Sequence, residues 1–163
     1  MDKQLIYKTV DAIVSEYVRP KDDMTLIAAN RLISKVLAKA KEMKVKAVVA
    51  VTNKGANPVS VQCSDDSYIA SYDIALNKAY TSVALKMTTK QLAGLAKPDG
   101  SLYGIQFTNG GKIVIFGGGE PLRNKEGNII GGLGVSGGSE EQDTALAKYG
   151  REIFEKGINE NGY

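Results

Sequence analysis

The stretch from Gly117 to Asp143 reads GGGEPLRNKEGNIIGGLGVSGGSEEQD and decides how the chain is interpreted. It holds nine of the eighteen glycines, and it matches the dinucleotide-binding pattern G-x-G-x-x-G at Gly132, Gly134 and Gly137. In that fingerprint the glycines join a strand to a crossover helix, and a second parallel strand follows. Only 26 residues follow Gly137, and their periodicity predicts one helix. We therefore exclude a Rossmann site, and the absence of a Gly-Lys-Ser/Thr sequence excludes a P-loop.

Two explanations of the glycines remain open. One is an anion site at the start of the last helix, where free N–H groups point outward. Glu140, Glu141 and Asp143 already complement that end of the helix dipole and would repel a phosphate. The other is structural: the glycines allow close backbone approach or a positive φ at the turn from strand to helix. It concerns Gly131, Gly132, Gly134, Gly137 and Gly138.

Composition narrows the classes of function. The 163 residues are 43% hydrophobic and 24% charged with a net charge of +3, values typical of a soluble globular domain. No basic run carries interleaved aromatic residues, so we expect no nucleic-acid partner. The chain has no histidine, which excludes Ser-His-Asp hydrolases, and its one cysteine, Cys63, cannot form a disulfide or a thiolate metal site within the chain. No signal peptide or membrane-spanning run is seen, which predicts a cytoplasmic protein without a membrane partner.

Periodicity along the chain predicts the order helix, helix, two strands, two helices, three strands, helix. Asn109-Gly110 lies between two alternating apolar runs and predicts a β-hairpin, after which a loop through Pro121 leads to the last strand. This order predicts an α+β fold with a five-stranded, mainly antiparallel sheet flanked by helices. Helices are expected at 2–18, 25–44, 64–86, from 88 onward and at 139–157, and the other strands at 46–53, 59–63 and 128–135.

The glycine-rich stretch resembles the signature of the GlcG/HbpS-type haem-binding family. The same module forms the C-terminal domain of PduO-type cobalamin adenosyltransferases. Residues 47–55, AVVAVTNKG, resemble the first hairpin of the family, and residues 69–83, IASYDIALNKAYTSV, resemble its alanine-rich helix. The resemblance implies a profilin-like sandwich, assembly into homo-oligomers, and binding of haem or a related tetrapyrrole. The matching residues of the stretch are Gly118, Gly119, Pro121, Gly127, Gly131, Gly134, Val135, Ser136, Gly137, Gly138 and Asp143.

The resemblance also implies a site, although no catalytic residue is assigned. Without histidine, a haem iron would need Tyr, Met, Cys or Lys as its axial ligand. The adenosyltransferase activity belongs to another domain of the PduO-type proteins and is not expected here. The implied ligand-binding residues are Gly119, Glu120, Gly134, Ser136, Gly137, Gly138 and Asp143. The candidate axial ligands are Tyr68, Tyr72, Tyr80, Met24 and Cys63.

Residues 1–20 lie outside the resemblance and form a first segment, with 21–163 as the GlcG/PduO-C-like domain. The apolar residues of the first segment share one face of a predicted helix, which ends at Arg19-Pro20. The segment resembles the encapsulation peptides of bacterial microcompartments. An isolated helix of this length needs an apolar partner. That partner would be a shell protein or cargo enzyme in a microcompartment lumen, or else the chain's own domain or a sister subunit.

Three functions follow from these observations. The first is a non-catalytic accessory protein that binds haem, another tetrapyrrole or a corrinoid. The second is a ligand-free oligomeric scaffold that serves a B12-dependent or glycyl-radical enzyme. The third is an enzyme, for which Glu120 and Asp143 are the strongest acid candidates, and this is the least favoured.

Overall fold

The structure is a computed structural model that describes residues 3–18 and 22–160. In these residues the order is two helices, two strands, two helices, two strands and a last helix. The helices are α1 (Lys3–Val18), α2 (Leu26–Glu42), α3 (Ser71–Ala84), α4 (Thr89–Ala96) and α5 (Glu140–Glu160). The strands are β1 (Val48–Asn53), β2 (Pro58–Cys63), β3 (Gly119–Arg123) and β4 (Ile129–Ser136). Within the described ranges, no helix is long and apolar enough to cross a lipid bilayer.

The strands form one antiparallel sheet in the order β2-β1-β4-β3. Because side chains alternate along a strand, each strand supplies residues to both faces of the sheet. Val49 and Val51 of β1 point into the larger core, which α2 and α5 cover. Val48 and Ala50 point the other way and pack against α3. The sheet therefore lies between two helical layers.

The larger core is built mainly from branched aliphatic residues of the helices and strands that meet there. Leu32 and Val36 of α2, Leu133 of β4, and Leu146 and Phe154 of α5 are all completely buried. The α3 side is packed more closely, because Ala75 and Ala79 meet the sheet there. Small side chains on this helix let its backbone approach the strands, and this closeness shapes the site described below.

The spacing of Thr88 and Gln91, and of Ser139 and Gln142, predicts a capping box at the start of α4 and of α5, and the structure confirms both. The Thr88 Oγ1 accepts a hydrogen bond from the Gln91 N–H, and the Gln91 side chain accepts one from the Thr88 N–H. Ser139 and Gln142 make the same reciprocal pair at the start of α5. Each box satisfies two N–H groups that a helix end leaves without partners.

The predicted five-stranded sheet is wrong, because the two strands predicted on either side of Asn109-Gly110 do not form a hairpin and the sheet has four strands in the described residues. Asn109 and Gly110 have positive φ values of 52° and 64°, as a tight turn requires. Gly111 also has a positive φ, of 77°. The three left-handed residues turn the chain without bringing its flanks into register. Residues 105–107 and 109–111 form short 3₁₀ turns instead, and residues 112–118 join no strand.

The segment through Pro121, predicted as a loop, is strand β3. Pro121 pairs with Gly132 at the edge of the sheet, where a residue without an N–H is tolerated. The predicted start of the third helix is also wrong. Asp66 has a φ of 59°, and α3 begins only at Ser71.

Candidate functional site

The glycines of β4 allow α3 to lie directly on the sheet. A Cβ at Gly134 would collide with the Ala75 carbonyl oxygen and would lie 2.7 Å from the Ala79 nitrogen. Gly137, at the end of the strand, has a φ of 145°, and a Cβ there would meet the backbone of Lys46. The structural explanation of these glycines is therefore confirmed. No parallel strand follows the turn in the described part of the chain, since α5 comes next.

A buried ion pair joins α3 to the start of α5 beside this turn. The Lys78 Nζ lies 2.9 Å from the Asp143 Oδ2 and donates a second hydrogen bond, of 2.8 Å, to the Val135 carbonyl. The other Asp143 oxygen accepts from the Gly138 N–H at 2.9 Å. Lys78 is completely buried and Asp143 is 4% exposed. The pair therefore fixes the helix, the strand end and the turn to one another.

Burial lowers the pKa of the Lys78 ammonium, and the Asp143 carboxylate opposes this effect. The Phe116 ring covers the ammonium, with its centroid 4.8 Å from Nζ. A cation over a ring face is attracted by the ring's quadrupole. Phe116 thus separates this charge from the cavity next to it.

The cavity has a volume of about 260 Å³ and lies between the start of α3 and the turn after β4. Its lining combines two aromatic side chains, Tyr68 and Phe116, with small polar groups. Ser71 and Ser136 are both buried, and their hydroxyls lie 3.1 Å apart. The lining residues are Tyr68, Ala70, Ser71, Ile74, Phe116, Ser136, Gly137, Gly138, Glu140 and Asp143.

Glu140 adds a second carboxylate to this cavity. Its side chain accepts hydrogen bonds from the Lys90 Nζ at 2.8 Å and from the Gly117 N–H at 3.1 Å. The Lys90 hydrogen bond, and next the Gly117 hydrogen bond, lower the pKa of the Glu140 carboxyl. With Asp143, the lining of the cavity therefore includes two carboxylates, each already paired with a lysine.

The structure brings together four of the seven residues predicted to bind ligand, namely Ser136, Gly137, Gly138 and Asp143. The other three lie elsewhere. Gly119 donates its N–H to the Thr89 hydroxyl beneath α4, and Gly134 packs under α3. Glu120 is buried against α5. Ligand binding by the four residues at the cavity stays a prediction.

Glu120 pairs with a residue of α5 and not with the cavity. Its Oε2 lies 3.1 Å from the Arg151 Nε, a charge contact without hydrogen-bond geometry. Burial raises the pKa of the Glu120 carboxyl, and the Arg151 guanidinium opposes that rise. Glu155 approaches the other side of the guanidinium at 3.5 Å.

Among the five candidate axial ligands, Tyr68 is the one that lines the cavity. Tyr72 lies in the first turn of α3 and is 47% exposed. The Tyr80 hydroxyl accepts a hydrogen bond from Asn109, Met24 is buried in the larger core, and Cys63 is exposed at the end of β2. None of these last three residues lines the cavity.

Sequence reasoning missed Lys78, Phe116 and Ser71 as members of this site. A signal for Lys78 existed: it shares a helical face with Ala75, Ala79 and Ser82, all of which are buried. A lysine within such a face needs a buried counter-charge. Its partner could not be identified from spacing alone.

Residues 24–152 match the model of the family described as haem degrading protein HbpS-like. The chain is 44% identical over 131 residues to an uncharacterized 15.0 kDa protein in the dhaT-dhaS intergenic region of Citrobacter freundii, covering 80% of this chain and 92% of that protein. It is 33% identical over 129 residues to the corrinoid adenosyltransferase PduO of the same organism. That match covers 79% of this chain but only 38% of PduO.

A solved structure of PduOC in complex with haem superposes with a TM-score of 0.72 and 34% identity, covering 76% of this chain and 88% of that one. The resemblance to the HbpS-type family and to the PduO module is therefore confirmed. The matched region begins at Met24, beyond α1, and runs into α5, so it contains the whole sheet and the cavity. By sequence and by fold, this chain belongs to the HbpS-like family.

Proposed function

We propose that this chain binds haem or a related tetrapyrrole or corrinoid in the cavity between α3 and the turn after β4, as a non-catalytic accessory protein. The observation that carries the proposal is the cavity itself, with the aromatic walls Tyr68 and Phe116 beside the apolar Ile74. The 34% identity to PduOC, whose structure was solved with haem, and the haem-related family description support it. Aromatic and aliphatic walls with a few polar groups suit a flat, largely apolar macrocycle.

The size of the cavity bears on how such a ligand would fit. At about 260 Å³ it is smaller than the roughly 300–1,000 Å³ typical of small-molecule sites, so one subunit would enclose only an edge of the macrocycle. Next to it, Tyr68 is 73% exposed and Ile69 is 95% exposed. This apolar surface would cover more of the ligand or receive a second copy. We therefore propose a homo-oligomer in which a neighbouring subunit completes the enclosure.

The charges in the lining of the cavity suggest which edge of the ligand would enter. Glu140 and Asp143 are both carboxylates, and their lysine partners already compensate them. They would repel the propionates of haem, and like charges in a partly buried site are costly. The apolar edge of the ring would face Phe116, and the propionates would remain in solvent.

Tyr68 is the proposed axial ligand because its phenol lies at the cavity. Bound haem would supply a ferric iron, and tyrosine oxygen is one of the ligands that proteins provide for it. The protein would contribute the oxygen, the apolar walls and the exclusion of water from one ring edge.

The proposed role is binding and not chemistry, because the charged groups at the cavity are engaged with one another. Lys78 neutralises Asp143, Lys90 neutralises Glu140, and the chain has no histidine to act as a general base. The buried Ser71 and Ser136 hydroxyls share a hydrogen bond without a basic partner. We therefore expect bound haem to persist in the presence of a reductant.

A haemin titration of the full chain tests the proposal. We expect a saturable Soret shift at one haemin per subunit, stable under ascorbate, with a ferric-phenolate absorption that disappears in Tyr68→Phe. Tyr103→Phe is the matched control, since Tyr103 is 68% exposed outside the cavity. The absence of a saturable shift would favour the alternative, a ligand-free scaffold for a B12-dependent or glycyl-radical enzyme. Decay of the Soret band under ascorbate would instead favour haem degradation.

We further propose that residues 1–20 form a docking segment separate from the domain at 21–163. The supporting observation is that the apolar side chains Leu5, Val10 and Ile13 of α1 are 50–61% exposed. We propose that this stripe binds a microcompartment shell protein or a cargo enzyme. The full chain fused to a fluorescent protein and co-expressed with shells should give punctate fluorescence, which Val10→Asp should disperse. Diffuse fluorescence of the unmodified fusion would count against this role.

A further inference from the structure

A groove runs along the solvent side of α2, on the opposite face of the sheet from the cavity near α3. Two cavities of about 760 and 610 Å³ border this helix, and Ser34 lines both; the surface that they make along α2 is here called the α2 groove. From Ile27 to Lys41 it spans about 21 Å at the helical rise of 1.5 Å per residue. That length corresponds to about four turns of a helix.

The rim of the α2 groove is strongly basic. Its lining residues include five cations, Arg31, Lys35, Lys41, Lys44 and Lys46, against one carboxylate, Asp65. Asp66 adds a second carboxylate, because it lies 3.0 Å from the Lys46 Nζ. Basic side chains therefore outnumber carboxylates along this surface.

The floor of the α2 groove is apolar in parts. Ile27 is 48% exposed, and Leu37, Ala38 and Val45 line the wider end. The Asn30 side chain at the narrower end accepts hydrogen bonds from Ser60 and Gln62 of β2. These bonds tie the helix to the edge strand, so the groove is rigid on that side. A partner would therefore need an apolar stripe flanked by negative charges.

We propose that the α2 groove binds an acidic amphipathic helix of a partner protein. The length of the groove, its apolar floor and its basic rim together match the i, i+3, i+4, i+7 anchors of a helix whose flanks carry Asp and Glu. A two-fold contact between copies of this chain would bring like charges together across the groove, which opposes self-association there. Nucleic acid is less suited, because no aromatic residue lines the described groove for base stacking.

The test uses the full chain and a fluorescein-labelled, 18-residue helical peptide with Leu at i, i+3, i+4 and i+7 and Glu on both flanks. A second peptide carries Lys in place of every Glu. We expect the Glu peptide to bind at least about tenfold more tightly than the Lys peptide, with an affinity that falls as salt rises. The double variant Arg31→Glu/Lys41→Glu should reduce its affinity at least about tenfold.

The control is the double variant Lys97→Glu/Lys125→Glu, which makes the same change in net charge at two exposed lysines outside the groove. It should keep the affinity for the Glu peptide within about twofold. Urea unfolding of both variants checks that each is folded. Equal binding of the two peptides, equal loss in the two double variants, or no binding of either peptide would overturn the proposal. Tighter binding of a 20-base-pair DNA than of the Glu peptide would also overturn it. The same holds if Arg31→Glu/Lys41→Glu disrupts an oligomer but leaves peptide binding unchanged.

Discussion

Lys78 of α3 and Asp143 of α5 lie 65 residues apart in the sequence and meet in a buried ion pair of 2.9 Å between Nζ and Oδ2. The same ammonium binds the Val135 carbonyl, and the same carboxylate binds the Gly138 N–H. One charge pair thus connects α3, the end of β4 and the first turn of α5. The candidate cavity is bounded by these same elements, so its shape depends on this pair.

Replacing Lys78 with methionine should therefore destabilise the protein strongly. Removing one partner of a buried pair leaves an uncompensated charge, at a cost of about 3–5 kcal/mol in the free energy of unfolding. Lys78→Met/Asp143→Asn should recover part of this loss, because no buried charge then remains unpaired. Urea denaturation measures both variants. Lys46→Met breaks an exposed pair with Asp66 and serves as the control. A loss in Lys78→Met no larger than the loss in Lys46→Met would contradict the role of the buried pair.

Gly134→Ala should destabilise the contact between β4 and α3. The new Cβ would meet backbone atoms of Ala75 and Ala79, which cannot move without displacing the helix. Overpacking of this kind costs about 1–3 kcal/mol. Gly94→Ala on α4 is the matched change, since nothing lies within 4 Å of a Cβ there, and it should stabilise the protein by about 0.5–1 kcal/mol. Thermal unfolding of the two variants should give shifts of opposite sign; a rise in Tm for Gly134→Ala would be inconsistent with close packing.

Glu120 should make stability depend on pH. Its folded-state pKa is raised above 4.5 by burial, so the folded protein binds more protons than the unfolded chain between the two values. The stabilising contribution is fully present below pH 4.5 and is lost as pH rises through the folded-state pKa. In Glu120→Gln this loss should be absent. The urea midpoint of the unmodified protein and of Glu120→Gln is measured from pH 4 to 8. If the midpoint depends on pH in the same way in both proteins, a buried Glu120 with a raised pKa is excluded.

Local signals predicted the parts of the fold that depend on neighbouring residues. The boxes at Thr88 and Ser139 were found because a cap needs only residues three apart. The close packing at Gly134 was anticipated because glycine has few other uses within a strand. The hairpin predicted at Asn109 was wrong. Asn109 and Gly110 do adopt positive φ, but Gly111 does so too, and the three residues together turn the chain without bringing its flanks into register. Turn preference alone does not ensure that the flanking segments pair.

The candidate site could be predicted only in part. Ser136, Gly137, Gly138 and Asp143 come from one continuous motif, and the structure brings them to one cavity. Phe116 lines that cavity and Lys78 lies behind the Phe116 ring, and both come from segments far away in sequence. Their position depends on how α3 lies on the sheet, which no spacing along the chain reveals. Gly119 and Glu120 were both misplaced, because strand β3 brings Gly119 to Thr89 of α4 and Glu120 to Arg151 of α5.

Hydrogen-deuterium exchange of the full chain, with and without haemin, tests most directly whether the cavity near α3 is the binding site. Saturating haemin should slow exchange in residues 68–74 and 136–143, which form the cavity, and should leave residues 27–41 of α2 unchanged. Protection of those two cavity segments would support the assignment. Saturable binding that leaves them unprotected and protects another region would contradict it.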